Sequence, residues 1–519
     1  MTNKNICLIT PPSPFLLDER VFINLGILKI AGALEQKGYK INFLDLSGVK
    51  NYLNVLENYL DSNQTNKFFG ITATTSQIPN AVKLCKVIKD KRKDSRVILG
   101  GPHVTLMHSA SKREKLRGLD KGDRATTDVD GLASVFDILV CGDGEKAIFE
   151  ALKLDKGIVD ADDSKSSLFL TDDDFSELPM PARHLVDMDS YKYQIDGVRA
   201  TSLIAQLGCP FRCTFCSGRN SPFLRKIRTR SVDSIMKEIE ILHKSYGFQA
   251  FMFYDDELNV SKSMVALMNQ IADYQDKNDV EFKLRGFLKS ELFNEEQARA
   301  MYRAGFRWVL VGFESGDVRI LENIRKNATV EDNTRCIEIA KRNNLKVKAL
   351  MSIGHAGESH ETIENTKNWL LKVQPEDFDC TIITTYPGSP YFDDAEKDGD
   401  VYVYTDSKTK DRLLQSPINY LVDSDYYKGD PEGGYVSFVW TDHISPESLI
   451  EERNKLEAEV RSKLNIPFNP GRPGIEYEHS MGQGNISIPD YILKSSTHKK
   501  EIRKDEDVSY RFNIINNLK

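Results

Sequence analysis

The 519-residue sequence contains no run of about 18 apolar residues, the length a membrane-spanning helix needs. Its first ten residues, MTNKNICLIT, carry neither a basic segment before a long apolar stretch nor a small-residue cleavage site, and read instead as a first β-strand. The expectation is a cytoplasmic protein with no membrane span. Neither sign of charge is in large excess: 70 basic and 77 acidic residues leave a net charge of -7, which argues against a surface that coats nucleic acid. The densest basic segment, RKIRTR from Arg225 to Arg230, reads as a solvated loop.

Cysteine is sparse, at eight residues. Cys7, Cys85, Cys141, Cys336 and Cys380 are scattered through apolar strand or helix patterns and read as buried free thiols. Cys209, Cys213 and Cys216 instead crowd into LGCPFRCTFCSG, Leu207 to Gly218. A reducing compartment disfavours a disulfide framework, so the trio points to metal or redox chemistry. Structural zinc takes four ligands, and no fourth cysteine or histidine stands at a matching spacing. Three thiolates on a 4Fe-4S cluster would leave one iron open to a substrate or cofactor.

Hydrophobic residues make up 40% and charged residues 28%, enough to bury sizeable cores, and the length predicts several domains. Short apolar runs alternate with helix-period segments from NICLIT to GEKAIFEALK, which predicts a doubly wound parallel sheet of five strands over residues 1–156. Ligands of such sheets sit beyond the strand C-termini. Those ends are TPPSP, TATTS, GGPHVT and CGDGE, and they make Thr74, Gly100, Gly101, His103, Gly142, Gly144 and Glu145 the rim candidates. The polar stretch SASKREKLRGLDKGDRATTDVDG reads as a mobile surface insertion, and residues 157–198 as an ordered linker. A second βα series, from ATSLIAQLG to DFDCTIITTYPG, predicts a (β/α)6 partial barrel over 199–399, with the trio just after its first strand. Within 400–519 only ISPESLIEERNKLEAEVRSKL is assigned, as a helix with Ser445 at the N-cap and Pro446 first, and the charged tail HKKEIRKDEDVS is noted without a fold.

The Cys-x3-Cys-x2-Cys spacing, Phe215 before the third cysteine, and the position after a first barrel strand resemble the radical S-adenosylmethionine superfamily. MFYDDELN, VGFESG, SIGHAGES and TTYPGSPYF match its strand-end segments, with Ala356 where a proline is usual. NLGILKIAGALEQKGYKINFLDL, GGPHVT, GDGEKAI and LPMPARHL resemble the cobalamin-binding branch of that superfamily. No Asp-x-His-x-x-Gly motif is present, so His103 reads as a rim residue satisfied by ordinary hydrogen bonds rather than as a cobalt ligand.

The resemblance implies that Cys209, Cys213 and Cys216 hold a 4Fe-4S cluster whose open iron chelates S-adenosylmethionine. It further implies that Phe215 packs by the adenine, that Asp255, Asp256, Arg285 and Glu314 bind its polar groups, that cobalamin sits on the first domain, and that Tyr386 neighbours the substrate. The leading expectation is a cobalamin-dependent enzyme that methylates an unactivated carbon of a small molecule through a 5'-deoxyadenosyl radical, fed by a one-electron donor such as flavodoxin or ferredoxin. The alternatives are a cyclisation, oxidation or rearrangement with the same cofactors, and a metal-stabilised binding protein without catalysis.

Overall fold

The computed structural model of the chain describes residues 4–13, 19–118, 124–423 and 436–466. Its first sheet contains β1 (Asn5–Thr10), β2 (Lys40–Asp45), β3 (Phe68–Thr72), β4 (Arg96–Gly100), β5 (Ile138–Gly142) and β6 (Gly157–Ala161). All pairings are parallel and the order is β2-β1-β3-β4-β5-β6. The order reverses between β1 and β3, the switch point where ligands of doubly wound sheets bind. Side chains of Gln77 and Asn80 donate to the carbonyls of Pro11 (2.8 Å) and Pro12 (3.0 Å), fixing the two loops that border it.

The sequence reading ended this sheet at residue 156, but β6 lies just beyond, so the expected linker begins as sheet. The polar insertion is also corrected. Its described residues belong to two helices, Pro102–Leu116 and Arg124–Val135. Buried Glu114 accepts from the amides of Ala125 (2.8 Å) and Thr126 (2.7 Å) and so caps the second helix from the first. A cap supplied from outside the helix leaves no local sequence signature.

The linker continues into β7 (Gln194–Ile195), which pairs antiparallel with β8 (Val198–Leu203). A short ribbon, β9 (Gln206–Leu207) with β10 (Arg228–Thr229), follows. The second sheet continues through β11 (Ala250–Phe253), β12 (Lys283–Leu288), β13 (Trp308–Glu314), β14 (Lys346–Ile353) and β15 (Asp377–Ile382), in the order β15-β14-β13-β12-β11-β8-β7. Its six long strands are those expected from the sequence, and β8 and β15 are not paired, so it is a partial barrel. Alternation decides its faces: Phe251 and Phe253 of β11 join the core beneath the surrounding helices, whereas Ala250 and Met252 line the barrel interior with Tyr193 and Leu310.

The C-terminal region adds an antiparallel sheet of β16 (Glu396–Asp398), β17 (Val401–Thr405), β18 (Arg412–Gln415) and β19 (Val439–Trp440), then the helix Pro446–Leu464. That helix has the expected cap, with the Ser445 side chain accepting from Ser448 N at 3.2 Å. It covers the free edge of β15: Glu457 accepts from Cys380 N (2.7 Å) and Arg453 donates to Cys380 O (2.8 Å). A barrel edge that would otherwise offer unpaired backbone is thereby satisfied. The charged tail lies outside the described residues.

Candidate active site

The ribbon β9–β10 is the neck of the cysteine loop, which leaves and returns at one point. Gly208 sits there at φ 86°, where a Cβ would strike the Lys226 carbonyl, so glycine is required. Within the loop Cys209 N donates to Leu224 O (2.9 Å) and Cys216 N to Cys213 O (3.2 Å). Thr214 binds both Ile324 O, through its amide (2.9 Å), and Asn323 O, through its hydroxyl (3.0 Å). The loop is therefore laced to the turn that follows the helix Val318–Asn323.

Cys213 is buried, Cys209 half-buried and Cys216 exposed. Burial nonetheless pushes the Cys216 thiol up to about 12, with neighbouring Cys213 adding to it. Asp256 shows the same pairing of an exposed surface with a carboxyl raised by burial. Both groups are reached by solvent on one side and crowded by protein on the other. Among the described residues no three Cys, His, Asp or Glu side chains converge closely enough for one metal ion. Three thiols on one short loop, with no fourth ligand beside them among the described residues, fit a three-thiolate iron-sulfur cluster better than a four-ligand zinc site. A metal would also supply the charge that turns such raised thiols into thiolates.

Around the cysteine loop the predicted ligands divide. Both Asp255 oxygens accept from the amides of Ala205 and Gln206, so this buried carboxyl, pushed up to about 7 by burial, holds the approach to the loop. Asp256 accepts from Gly208 N at 3.1 Å. Arg285 requires a correction: it lies within β12, not at its end, and faces Asp196 at 3.7 Å on the turn before β8. That turn is at the opposite end of the barrel from the cysteines, and a buried guanidinium takes the carboxylate within reach.

Glu314 ends β13 after a register shift at Gly312, in the left-handed region at φ 66°. A non-glycine residue holds that conformation when its surroundings fix it. Here Lys326 Nζ lies 3.1 Å from Oε1 and the Ser352 hydroxyl donates to Oε2 at 2.7 Å. The Ser352 oxygen in turn stands 2.8 Å from His355 Nε2, and it accepts because its own proton goes to Glu314. Burial pushes His355 down to about 4, so it is neutral, and its ring meets Phe215 edge-on at 5.3 Å. Sequence reasoning missed Lys289, Lys326, Ser352, His355 and Glu257. Lys289 and Ser352 belong to strand ends and could have been found by position; Lys326 follows a short helix and carries no pattern.

The first rim is built differently. Gly101, at φ 105°, would place a Cβ 2.7 Å from Ala73 O, and Gly142, at φ 84°, would drive one into the backbone of Ala161 and Asp162. These glycines let neighbouring strand ends close on each other, whereas the sequence reading had them open for a flat ligand. Gly100 has ordinary clearance, and a Cβ on Gly144 would lie 2.6 Å from Ile30 Cδ1. Thr74 caps the turn Thr75–Gln77 through Gln77, and Glu145 lies in the first turn of the helix Gly144–Ala151. His103 also needs correcting. It is a helix residue, buried, with neither ring nitrogen hydrogen-bonded among the described residues, and burial pushes its pKa down to about 3.

The two rims are joined by polar contacts. Arg228, read as part of a solvated loop, is 1% exposed and binds Asp143 at 2.6 Å, and Arg230 is also buried. Asp162 accepts from the Ser221 hydroxyl (2.8 Å) and Phe223 N (2.7 Å), and Arg113 binds Asp393 at 2.8 Å. A Cβ at Gly388, after the sixth barrel strand, would lie 2.6 Å from Ser217 O and 3.1 Å from Leu106 of the first domain. Tyr386 packs on the first domain's apolar cluster.

Residues 203–370 match the profile of the Radical SAM superfamily, and residues 19–130 that of the B12 binding domain. An uncharacterized methyltransferase of Pyrococcus horikoshii is 31% identical over 322 residues, 62% of this chain and 67% of the relative. The anaerobic magnesium-protoporphyrin IX monomethyl ester cyclase of Cereibacter sphaeroides is 23% identical over 349 residues, 64% of this chain but only 54% of the cyclase. The radical S-adenosylmethionine methyltransferase TsrM of Kitasatospora setae, solved with tryptophan and an S-adenosylmethionine analogue, shares the fold at a TM-score of 0.62 and 16% identity, over 91% of this chain and 92% of its own. With a cobalamin-type sheet, a radical-type barrel and a cysteine loop between them, the chain belongs to the cobalamin-binding radical S-adenosylmethionine enzymes.

Proposed function

We propose that this enzyme methylates an unactivated carbon of a small molecule, using cobalamin and S-adenosylmethionine. One observation supports joint use of both cofactors: the cysteine loop at Ser217, the last barrel strand end at Gly388 and the cobalamin-domain helix at Leu106 pack against one another. Cofactors held on the two rims would thereby lie close to each other. When bound, they supply a radical able to take hydrogen from inert carbon and a methyl group to replace it.

The chain's own residues hold, orient and enclose. Cys209, Cys213 and Cys216 hold the cluster. Phe215, set edge-on to His355, packs by the adenine; Asp256 and Glu314 face the polar groups of S-adenosylmethionine; and Asp255 fixes the backbone leading to Cys209. Thr74, Gly100, Gly101, His103, Gly142, Gly144 and Glu145 form the cobalamin rim. Buried ion pairs between the domains keep their relative position and exclude water, the contribution on which alignment of reacting groups depends. The electron is proposed to come from a one-electron donor such as a flavodoxin or ferredoxin. The compartment proposed is the cytoplasm; among the described residues no helix is long and apolar enough to cross a membrane.

The similarity to a magnesium-protoporphyrin cyclase favours a second reading, ring closure or oxidation with the same cofactors. Product stoichiometry separates them. Methyl transfer forms S-adenosylhomocysteine and 5'-deoxyadenosine in equal amounts, with label from methyl-labelled S-adenosylmethionine in the product. Turnover giving 5'-deoxyadenosine alone, without label in the product, overturns the methyltransferase reading.

A further inference from the structure

Two lysines stand beside the cysteine loop in places where lysine is rarely found. Lys289 is 1% exposed and Lys326 is 4% exposed, and a buried ammonium persists only where negative charge meets it. Lys289 Nζ donates to the carbonyl of Lys326 at 2.7 Å, lies 2.9 Å from Glu291, and sits 4.4 Å from the ring of Phe211, between Cys209 and Cys213 in the chain. Lys326 Nζ pairs with Glu314, and the turn that presents it takes both hydrogen bonds of Thr214, the residue after Cys213. Both lysines lie close enough to the Cys213 side chain to act on it electrostatically.

Glu314 needs one positive partner to hold its left-handed backbone, and Lys326 supplies it. Lys289, behind it, is matched by Glu291, whose carboxylate has no other hydrogen-bond donor among the described residues. Lys289 Nζ is anchored on the Lys326 carbonyl and Lys326 Nζ on the Glu314 carboxylate, so each ammonium is held in place by a buried partner. A fixed charge in a low-dielectric surround acts strongly on a group that gains charge.

We propose that Lys326, backed by Lys289, sets the reduction potential of the iron-sulfur cluster, stabilising the reduced form against the oxidised one. The inference rests on the reading that Cys209, Cys213 and Cys216 hold that cluster. In the step concerned, one electron passes from an external one-electron donor to the cluster, with no bond made or broken and no proton taken up. The cluster becomes more negative by one charge, and a buried cation favours that state. Lys326 is thus a positioning residue that acts through charge.

The test is an anaerobic redox titration of the reconstituted full chain, followed by the electron paramagnetic resonance signal of the reduced cluster. Lys326→Met is expected to move the midpoint to more negative potential by at least a tenfold change in the reduction equilibrium, ~59 mV for a one-electron couple. Lys326→Arg should stay near wild type, and Lys326→Met with Glu314→Gln should fall between, because the stranded carboxylate is then removed too. An unchanged midpoint in Lys326→Met with full iron content overturns the proposal. Should that variant lose iron, Lys289→Met is expected to give a smaller shift of the same sign, and no shift there overturns it equally. Iron uptake that survives the triple cysteine-to-alanine change would instead defeat the cluster reading beneath it.

Discussion

The two rims of this molecule solve the same problem in opposite ways. The cobalamin-side rim is made by removing side chains: Gly101 and Gly142 let strand ends close on their neighbours, and the ring nitrogens of His103 beside them have no hydrogen-bond partner among the described residues. The barrel rim is made by burying charge: Glu257, Glu314, Lys289 and Lys326 act on one another, while buried Asp255 holds the amides of Ala205 and Gln206. Backbone surfaces suit a large ligand held by shape. Buried charges suit a small zwitterion and a cluster whose own charge changes.

This contrast can be broken most severely at the trio. Cys213→Ala should lose nearly all the iron that the reconstituted wild type holds, while far-ultraviolet circular dichroism stays unchanged, because the loop neck and its ties to Asn323 and Ile324 remain. Next in size is the bond between the rims. Arg228→Leu strands Asp143, which is 1% exposed, and should cost about 3–5 kcal/mol. Thermal unfolding checks it, and a loss below about 1 kcal/mol would mean that the pair is solvated after all. Gly142→Ala should cost about 1–3 kcal/mol through its positive φ and the crowded backbone of Ala161. The same change at Gly100, which has ordinary clearance, should cost far less, and equal losses at both sites would show that the first rim does not depend on close strand packing.

How these elements read in the sequence follows the same divide. Five strands of the first sheet and the six long strands of the second were legible because apolar runs alternate with helix periods on either side of the linker, whereas β6 and β7, inside the expected linker, were not. The trio was legible too, because its spacing is local. Arg228 and Arg230 were misread as solvated because nothing in RKIRTR announces burial: Arg228's partner Asp143 is 85 residues away, and Glu238, eight residues on from Arg230, meets it from the following helix. The helices within the polar insertion were missed for the same reason, since Glu114 caps one from the other. Arg285 has a strand-end composition but a closed-end partner. Local pattern carries secondary structure; which charges meet is decided by topology.

A finer test uses pH. Burial raises Glu257 from 4.5 to about 7. The folded state therefore holds its proton more tightly than the unfolded chain does, so the stability from this group is fully present below about 4.5 and is lost as pH rises through about 7. Glu257→Gln removes that loss. The difference in unfolding free energy between variant and wild type should grow in the variant's favour from pH 5 to pH 8, and a difference independent of pH would place Glu257 in solvent.

The smallest effect belongs to His103 and tests the first rim's neutrality. A buried polar atom without a partner costs about 1–3 kcal/mol relative to one that is satisfied, and His103 has two such nitrogens among the described residues while its ring faces Tyr420 at 5.5 Å. Burial holds it neutral, with its pKa near 3, so no charge is lost when it is replaced. His103→Leu keeps similar bulk, removes both nitrogens, and should leave the cobalamin-free protein as stable as wild type or slightly more so. If the histidine is only a rim residue, the variant should also bind cobalamin with an unchanged visible spectrum. A stability loss beyond about 1 kcal/mol would mean that the ring has a partner the contacts do not reveal. Unchanged stability with an altered cobalt spectrum would mean that the unpartnered nitrogen is held for the metal, and that the two rims are less different than their side chains suggest.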